Sequence, residues 1–154
     1  MKYTLKSMKE YIILSILTFV LGMTEESLIE KEYLQKSGKY LGYTQAIIVN
    51  GNYHILGLVD SEGEHIDNLV ELFNRVNFID WSEDYLKKYI LAFKTYFELN
   101  NTSFSLSKEL IKTNIVEEKI DLASFSCLID TVSKEDLQNM FNKLKGDGYV
   151  KKVC

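Results

Sequence analysis

The sequence predicts an α+β domain, predominantly helical, with a central buried helix, one β-hairpin at about residues 43–59 and a short C-terminal strand. Three observations predict it. The run Met8 to Leu21 is apolar on every side, and a helix of that kind outside a membrane is buried all round. Two β-rich runs, Tyr43 to Val49 and Tyr53 to Val59, flank Asn50-Gly51, a pair that readily takes the positive φ angles of a type I′ hairpin turn. The rest of the chain alternates capping residues with apolar positions at helical spacing.

A chain of 154 residues is of the size that one hydrophobic core fills, so a single domain is expected. Hydrophobic residues at 46% and charged residues at 26% exclude the composition of a disordered chain. The first element carries an ambiguity. Lys2, Lys6 and Lys9 precede the uncharged run Tyr11 to Thr24, and Val20-Leu21-Gly22 resembles a cleavage site, the pattern of a secretory leader. The run falls short of the ~20 residues needed to span a bilayer, and a buried central helix is the preferred reading.

Thr24-Glu25-Glu26 then places a hydroxyl and two acids at a helix start, predicting a polar second helix to about Tyr40. After the hairpin, Ser61-Glu62-Gly63-Glu64 has the form of a capping box. Ile66, Leu69, Val70, Phe73 and Val76 follow in helical phase, giving a helix over about 62–76. Ser82 caps the next, in which Tyr85, Leu86, Tyr89, Ile90, Phe93, Tyr96 and Phe97 form a wide aromatic face opposite Lys87, Lys88, Lys94 and Glu98. Asn100 to Ser105 reads as a linker, with short helical patterns following near Ser107 to Lys112 and Glu117 to Ile129. Ser133 caps a last helix bearing Leu137, Met140, Phe141 and Leu144, which ends at Gly146 before the strand-like Tyr149 to Val153.

Few residues point to chemistry. Asp60, Glu62, Glu64, Asn68 and Glu71 match positions 1, 3, 5, 9 and 12 of a calcium loop. His65, however, stands where that loop needs glycine for its sharp turn, and the helical phase runs straight through, so an acidic helix start is expected instead. His54 and His65 have no companion at ligand spacing. Ser105-Leu106-Ser107-Lys108 matches Ser-x-x-Lys by letter but sits where a helix cap is expected. No phosphate loop or dinucleotide fingerprint occurs, and no cofactor is expected. Cys127, in the apolar run Leu122 to Ile129, is expected to be buried. With Cys154 it forms neither a metal nor a redox spacing, which suits a reducing, cytoplasmic compartment.

The segment Thr131 to Lys152, with its Leu144-Lys145-Gly146-Asp147-Gly148-Tyr149-Val150 ending, resembles the recognition-helix-to-strand portion of winged-helix domains. The resemblance implies a DNA-binding or transcription-associated role. It departs from that family in carrying Glu135 and Asp136 and no arginine on the helix, where base and phosphate contacts favour Arg and Lys.

Charge distribution points elsewhere. Residues 59–100 hold nine acidic and four basic side chains, a local excess larger than the net charge of −4 of the whole chain. Asp60, Glu62, Glu64, Asp67, Asp80, Glu83 and Asp84 fall there beside Trp81 and Tyr85. Such a surface repels nucleic acid and attracts basic proteins. The leading expectation is therefore a small acidic interaction protein without catalytic activity, most concretely an inhibitor or immunity protein that occludes a basic toxin such as a nuclease. Those nine residues are the candidate partner-binding set. The winged-helix reading is the alternative, and a small enzyme with a dispersed site the third.

Overall fold

The computed structural model describes residues 1–24, 27–31, 42–49, 52–59, 64–113 and 120–146. It is mostly helical, with a small three-stranded antiparallel sheet. Strand β1 (Lys2–Thr4) leads into helix α1 (Met8–Gly22). Ser7 starts α1 by accepting the Glu10 amide proton on Oγ at 3.2 Å, which satisfies one of the orphan donors of the first turn. The Glu10 carboxylate turns back to accept from the Lys6 amide and the Tyr3 hydroxyl, both at 2.8 Å.

From Tyr11 to Gly22 every residue of α1 is buried except Ser15, which is half-buried. The helix packs against the sheet on one side and three later helices on the others, so it has no solvent face to make polar. At about 1.5–3 kcal/mol per buried Leu, Ile, Val or Phe side chain, this one element supplies a large part of the driving force for folding.

Strands β2 (Gly42–Val49) and β3 (Asn52–Val59) pair in the register Val49 with Asn52 through Gly42 with Val59, which leaves residues 50 and 51 between the paired ends. The turn itself lies outside the described residues. Strand β1 adds to the other edge of β3, with Lys2 opposite His54 and Thr4 opposite Asn52, giving the order β1-β3-β2. The Met1 ammonium extends the pairing by donating to the Ile55 carbonyl at 2.8 Å. Sequence reading found the hairpin and missed β1.

Among the described residues five longer helices follow: α2 (Glu64–Arg75), α3 (Glu83–Asn100), α4 (Ser103–Ile111), α5 (Leu122–Ile129) and α6 (Lys134–Gly146). Helix α2 presses Leu69, Leu72 and Phe73 into the core, and α6 does so with Leu137, Met140, Phe141 and Leu144. Residues 64–71 are helical, where the calcium-loop alternative needs a turn. The expected linker is a helix start instead. Thr102 and Ser105 form a reciprocal capping box, so the polar residues before α4 satisfy its first amides. Cys127 corrects another expectation. Helix α5 buries Phe125, Ser126 and Ile129 and turns Cys127 outward. Of the polar second helix, residues 28–31 are helical; its remainder and the C-terminal strand fall outside the described residues. Among the described residues no helix is long and apolar enough to cross a membrane.

Candidate functional site

The candidate edge is built by two successive caps. Asn77 accepts the Ile79 amide proton on Oδ1 at 3.2 Å and begins a 3-10 turn, Phe78–Asp80. Its Nδ2 donates to Asp80 Oδ2 at 2.8 Å. Trp81 is extended, and Ser82 then starts α3 by accepting the Tyr85 amide proton at 3.1 Å. Glu83 and Asp84 stand in the first turn of α3, where the partial positive charge of the exposed amides favours carboxylates. Asp80, Glu83 and Asp84 are all exposed. Glu83 Oε1 pairs with Lys134 Nζ of α6 at 3.0 Å, and the same ammonium donates to the Trp81 carbonyl at 3.0 Å.

Beneath these carboxylates lies an aromatic platform. The Trp81 ring stacks on Tyr89 with centroids 5.2 Å apart, and meets Phe78 and Tyr85 edge to face at 5.0 and 4.8 Å. Lys31 Nζ sits 5.4 and 5.6 Å from the Tyr85 and Tyr89 ring centroids and donates to both hydroxyls, at 3.2 and 3.4 Å. Burial pushes the Tyr89 phenol up, the neighbouring Tyr85 hydroxyl adds to this, and Lys31 opposes it. Trp81 and Tyr85 are half-buried and pack against the core, so they brace the edge and offer a partner only part of their surface.

Of the nine expected site residues, the structure brings together five, Asp80, Trp81, Glu83, Asp84 and Tyr85. Asp67 is exposed on α2, eight residues and so about 12 Å along the axis from the end of that helix. Glu64 opens the same helix, while Asp60 and Glu62 lie outside the described residues. Sequence reading missed Lys134, which arrives from α6 and has no local signature. It also missed a surface hollow of about 490 Å³ that runs from Glu83 along α3 past Lys87, Ile90 and Leu91 to Asp130. One signal of it was readable. Leu91 falls out of the apolar phase of α3, and the structure leaves it 67% exposed.

A second cleft, of about 310 Å³, opens between α1, the sheet and the α3–α4 junction. Ser15, Thr18 and Tyr53 line it, Phe93 and Phe97 form a wall, and Glu109 of α4 completes it. Burial pushes the Tyr53 phenol up to about 12, against the bonds from Ser15 and Thr18. Tyr11 is raised too, first by burial and then by the Glu109 carboxylate beside it. No group of His, Cys, Asp and Glu among the described residues is arranged to hold a metal ion.

No family model and no curated protein matches the chain. Among solved structures the fold is similar to that of a protease from Helicobacter pylori, with a TM-score of 0.64 at 18% identity, covering 92% of this chain and 36% of that one. It is similar also to a conserved protein from Enterococcus faecalis V583, with a TM-score of 0.62 at 15% identity, covering 92% and 35%. The chain thus spans about a third of the length of each of these proteins, and at such identity the likeness is one of fold.

Proposed function

We propose that this chain is a protein-binding module that acts by docking on a basic partner rather than by catalysing a reaction, with an inhibitor or immunity protein against a basic toxin as its sharpest form. The supporting observation is the set of exposed carboxylates Asp80, Glu83 and Asp84, of which Glu83 lines the hollow along α3. Exposed like charges on a braced helix start steer a basic surface toward them. The hollow beside them gives a partner side chain somewhere to bury, and buried anchors carry most of the affinity of an interface. A cytoplasmic location belongs to the same proposal.

The test uses wild type and the triple variant Asp80→Lys, Glu83→Lys, Asp84→Lys against a panel of basic nucleases and against duplex DNA, at low and high salt. The proposal expects one salt-sensitive protein complex that the variant loses. Equal binding by both forms ends it. Salt-sensitive DNA binding instead moves the reading to the winged-helix alternative.

The fold likeness favours a second reading of the partner. A unit matching about a third of a longer protein titled a protease suits a domain or subunit that completes such an architecture. Under it the partner is the remainder of a protease-like assembly, and the expected result is a stable complex with a co-encoded protein of that kind. Recovery of the chain as a monomer from its source removes this reading.

A further inference from the structure

The hydroxyl trio in the cleft between α1 and the α3–α4 junction has a hydrogen-bonding character that follows from counting protons. Ser15 Oγ donates to the Tyr11 carbonyl at 2.8 Å, and Thr18 Oγ1 donates to the Leu14 carbonyl at 2.9 Å. Each is the back-bond of a hydroxyl residue within a helix. The Tyr53 hydroxyl donates to Ser15 Oγ at 3.3 Å. Turned instead toward Thr18 Oγ1, at 3.4 Å, its proton stays within the trio. A hydroxyl has one proton and two lone pairs, so what these three groups turn to the cleft is acceptor only. Asn101, also in the lining, spends one of its two Nδ2 protons on the Phe97 carbonyl at 3.0 Å, which leaves it one proton and its oxygen.

The remaining lining mixes donors, from Tyr11, Gln45 and Tyr96, with acceptors, and its charge is set by one group. Among the described residues of the lining, Glu109 alone carries a formal charge at neutral pH, and a carboxylate accepts without donating. Phe93, Tyr96 and Phe97 contribute rings, whose faces carry the negative part of the aromatic quadrupole. The Tyr11 and Tyr53 hydroxyls stay neutral through the physiological range because burial holds their protons on. One carboxylate, the acceptor face of the hydroxyl trio and the aromatic walls favour a ligand group with several donors and a positive charge.

We propose that this cleft is a binding site for an organic cation, an alkylammonium or guanidinium group, held by the Glu109 carboxylate, the Ser15–Thr18–Tyr53 hydroxyls and the rings of Phe93 and Phe97. Ammonium and guanidinium groups are donors only, and both gain from aromatic faces within about 6 Å. The cleft volume of about 310 Å³ is at the small end of ligand sites, large enough for an amine of a few carbons or one Lys or Arg side chain. The site is separate from the acidic edge and does not rest on the partner proposed for it.

The test titrates the full chain with n-butylammonium and agmatine, with the peptide acetyl-Gly-Lys-Gly-amide, and with 1-pentanol as a neutral control of similar length, followed by amide chemical shifts and calorimetry. Saturable binding of the cations without pentanol is expected. Glu109→Gln, at an exposed position, should weaken it about ten- to a hundredfold with an unchanged Tm. The double variant Ser15→Ala, Thr18→Val supplies a second readout, since it removes both acceptors of the Tyr53 proton, leaves that proton to point into the cleft and should weaken cation binding with Glu109 intact. Tighter binding of the peptide than of the free amines assigns the cation to a polypeptide side chain, and the reverse assigns it to a small amine. Pentanol binding as well as the amines, full affinity in Glu109→Gln, or no saturable binding of either amine overturns the proposal.

Discussion

Gly22, in the last turn of α1, lies so close to Thr44 of β2 that a Cβ added to it would fall 2.6 Å from the Thr44 backbone nitrogen. Ile29 Cδ1 would stand 2.7 Å away on another side. Backbone cannot rotate out of the way, so Gly22→Ala must push the helix off the strand, and overpacking of this kind costs about 1–3 kcal/mol. At Gly57 the added Cβ would meet Leu69 Cδ2 at 2.7 Å, the tip of a movable side chain. Gly57→Ala should therefore change stability by less than about 1 kcal/mol. Urea unfolding of the two variants checks the contrast, and equal losses would remove the backbone argument.

The tyrosines predict the alkaline limit of stability. Tyr53 is pushed up to about 12, chiefly by burial, and Tyr11 and Tyr89 are raised by burial as well. A phenol raised in the folded state contributes stability that is fully present below its unfolded value of about 10. That contribution is lost as pH rises through the folded value. Stability should thus begin to fall near pH 10, and Tyr53→Phe should remove part of the fall. Absorbance titration should show only a subset of the ten tyrosines ionising before unfolding; a single unperturbed transition for all ten contradicts the burial.

Asp136 sets a corresponding acid limb. Burial works against its charge, but the Lys9 ammonium at 3.0 Å and the Ser133 amide at 3.1 Å outweigh it and hold the carboxyl below its ordinary value. A depressed carboxyl stabilises above its unfolded value, and the contribution is lost as pH falls through the folded one. Asp136→Asn should therefore be less stable than wild type at neutral pH, with the gap closing as pH falls through the folded Asp136 value. The group is partly exposed, so screening by salt should shrink the gap. A pH-independent difference would assign the loss to packing instead.

Phe78 gives a fourth prediction. Its amide donates to Gln138 Oε1 at 2.7 Å, while its fully buried ring meets Phe141 edge to face at 5.6 Å. Gln138→Ala strands a partly buried donor and should cost about 1–3 kcal/mol. Phe78→Ala opens a cavity and should cost about 3–5 kcal/mol. Denaturation midpoints that rank the two in the opposite order would show that the amide matters more than the ring.

Cys127 should react with a thiol reagent in the native state, because α5 turns it to solvent. In a Cys154→Ser background the single thiol should be modified without prior unfolding. Protection until denaturant is added would restore the buried position that its apolar neighbours suggest.

That last case shows where the sequence stops being readable. The run Leu122 to Ile129 is mostly apolar, yet a helix rotates about 100° per residue, and it is Phe125, Ser126 and Ile129 that are buried. Local signals did carry far. Asn-Gly between β-rich runs, Ser82 before an aromatic stripe and Ser133 before Leu137 each mark an element that the structure contains. Strand β1 was invisible because three residues hold no periodicity, and its partner β3 lies some fifty positions away. The site was legible in part for the same reason. Asp80, Glu83 and Asp84 share one stretch of chain, but Lys134 reaches Glu83 from α6. Ser15 and Thr18 look like blemishes in an apolar helix until Tyr53 is placed against them.

Helix α1 has a consequence for how the chain is born. It leaves the ribosome before everything that covers it, and its covering includes α6 at the far end, joined to it by the Lys9–Asp136 pair. Until those later helices arrive, a segment with no polar face has nowhere to hide except in a chaperone or a neighbouring nascent chain. Synthesis rate and chaperone supply, rather than equilibrium stability, should therefore set the yield of this protein in cells, and a chain truncated before α6 should be recovered in aggregates.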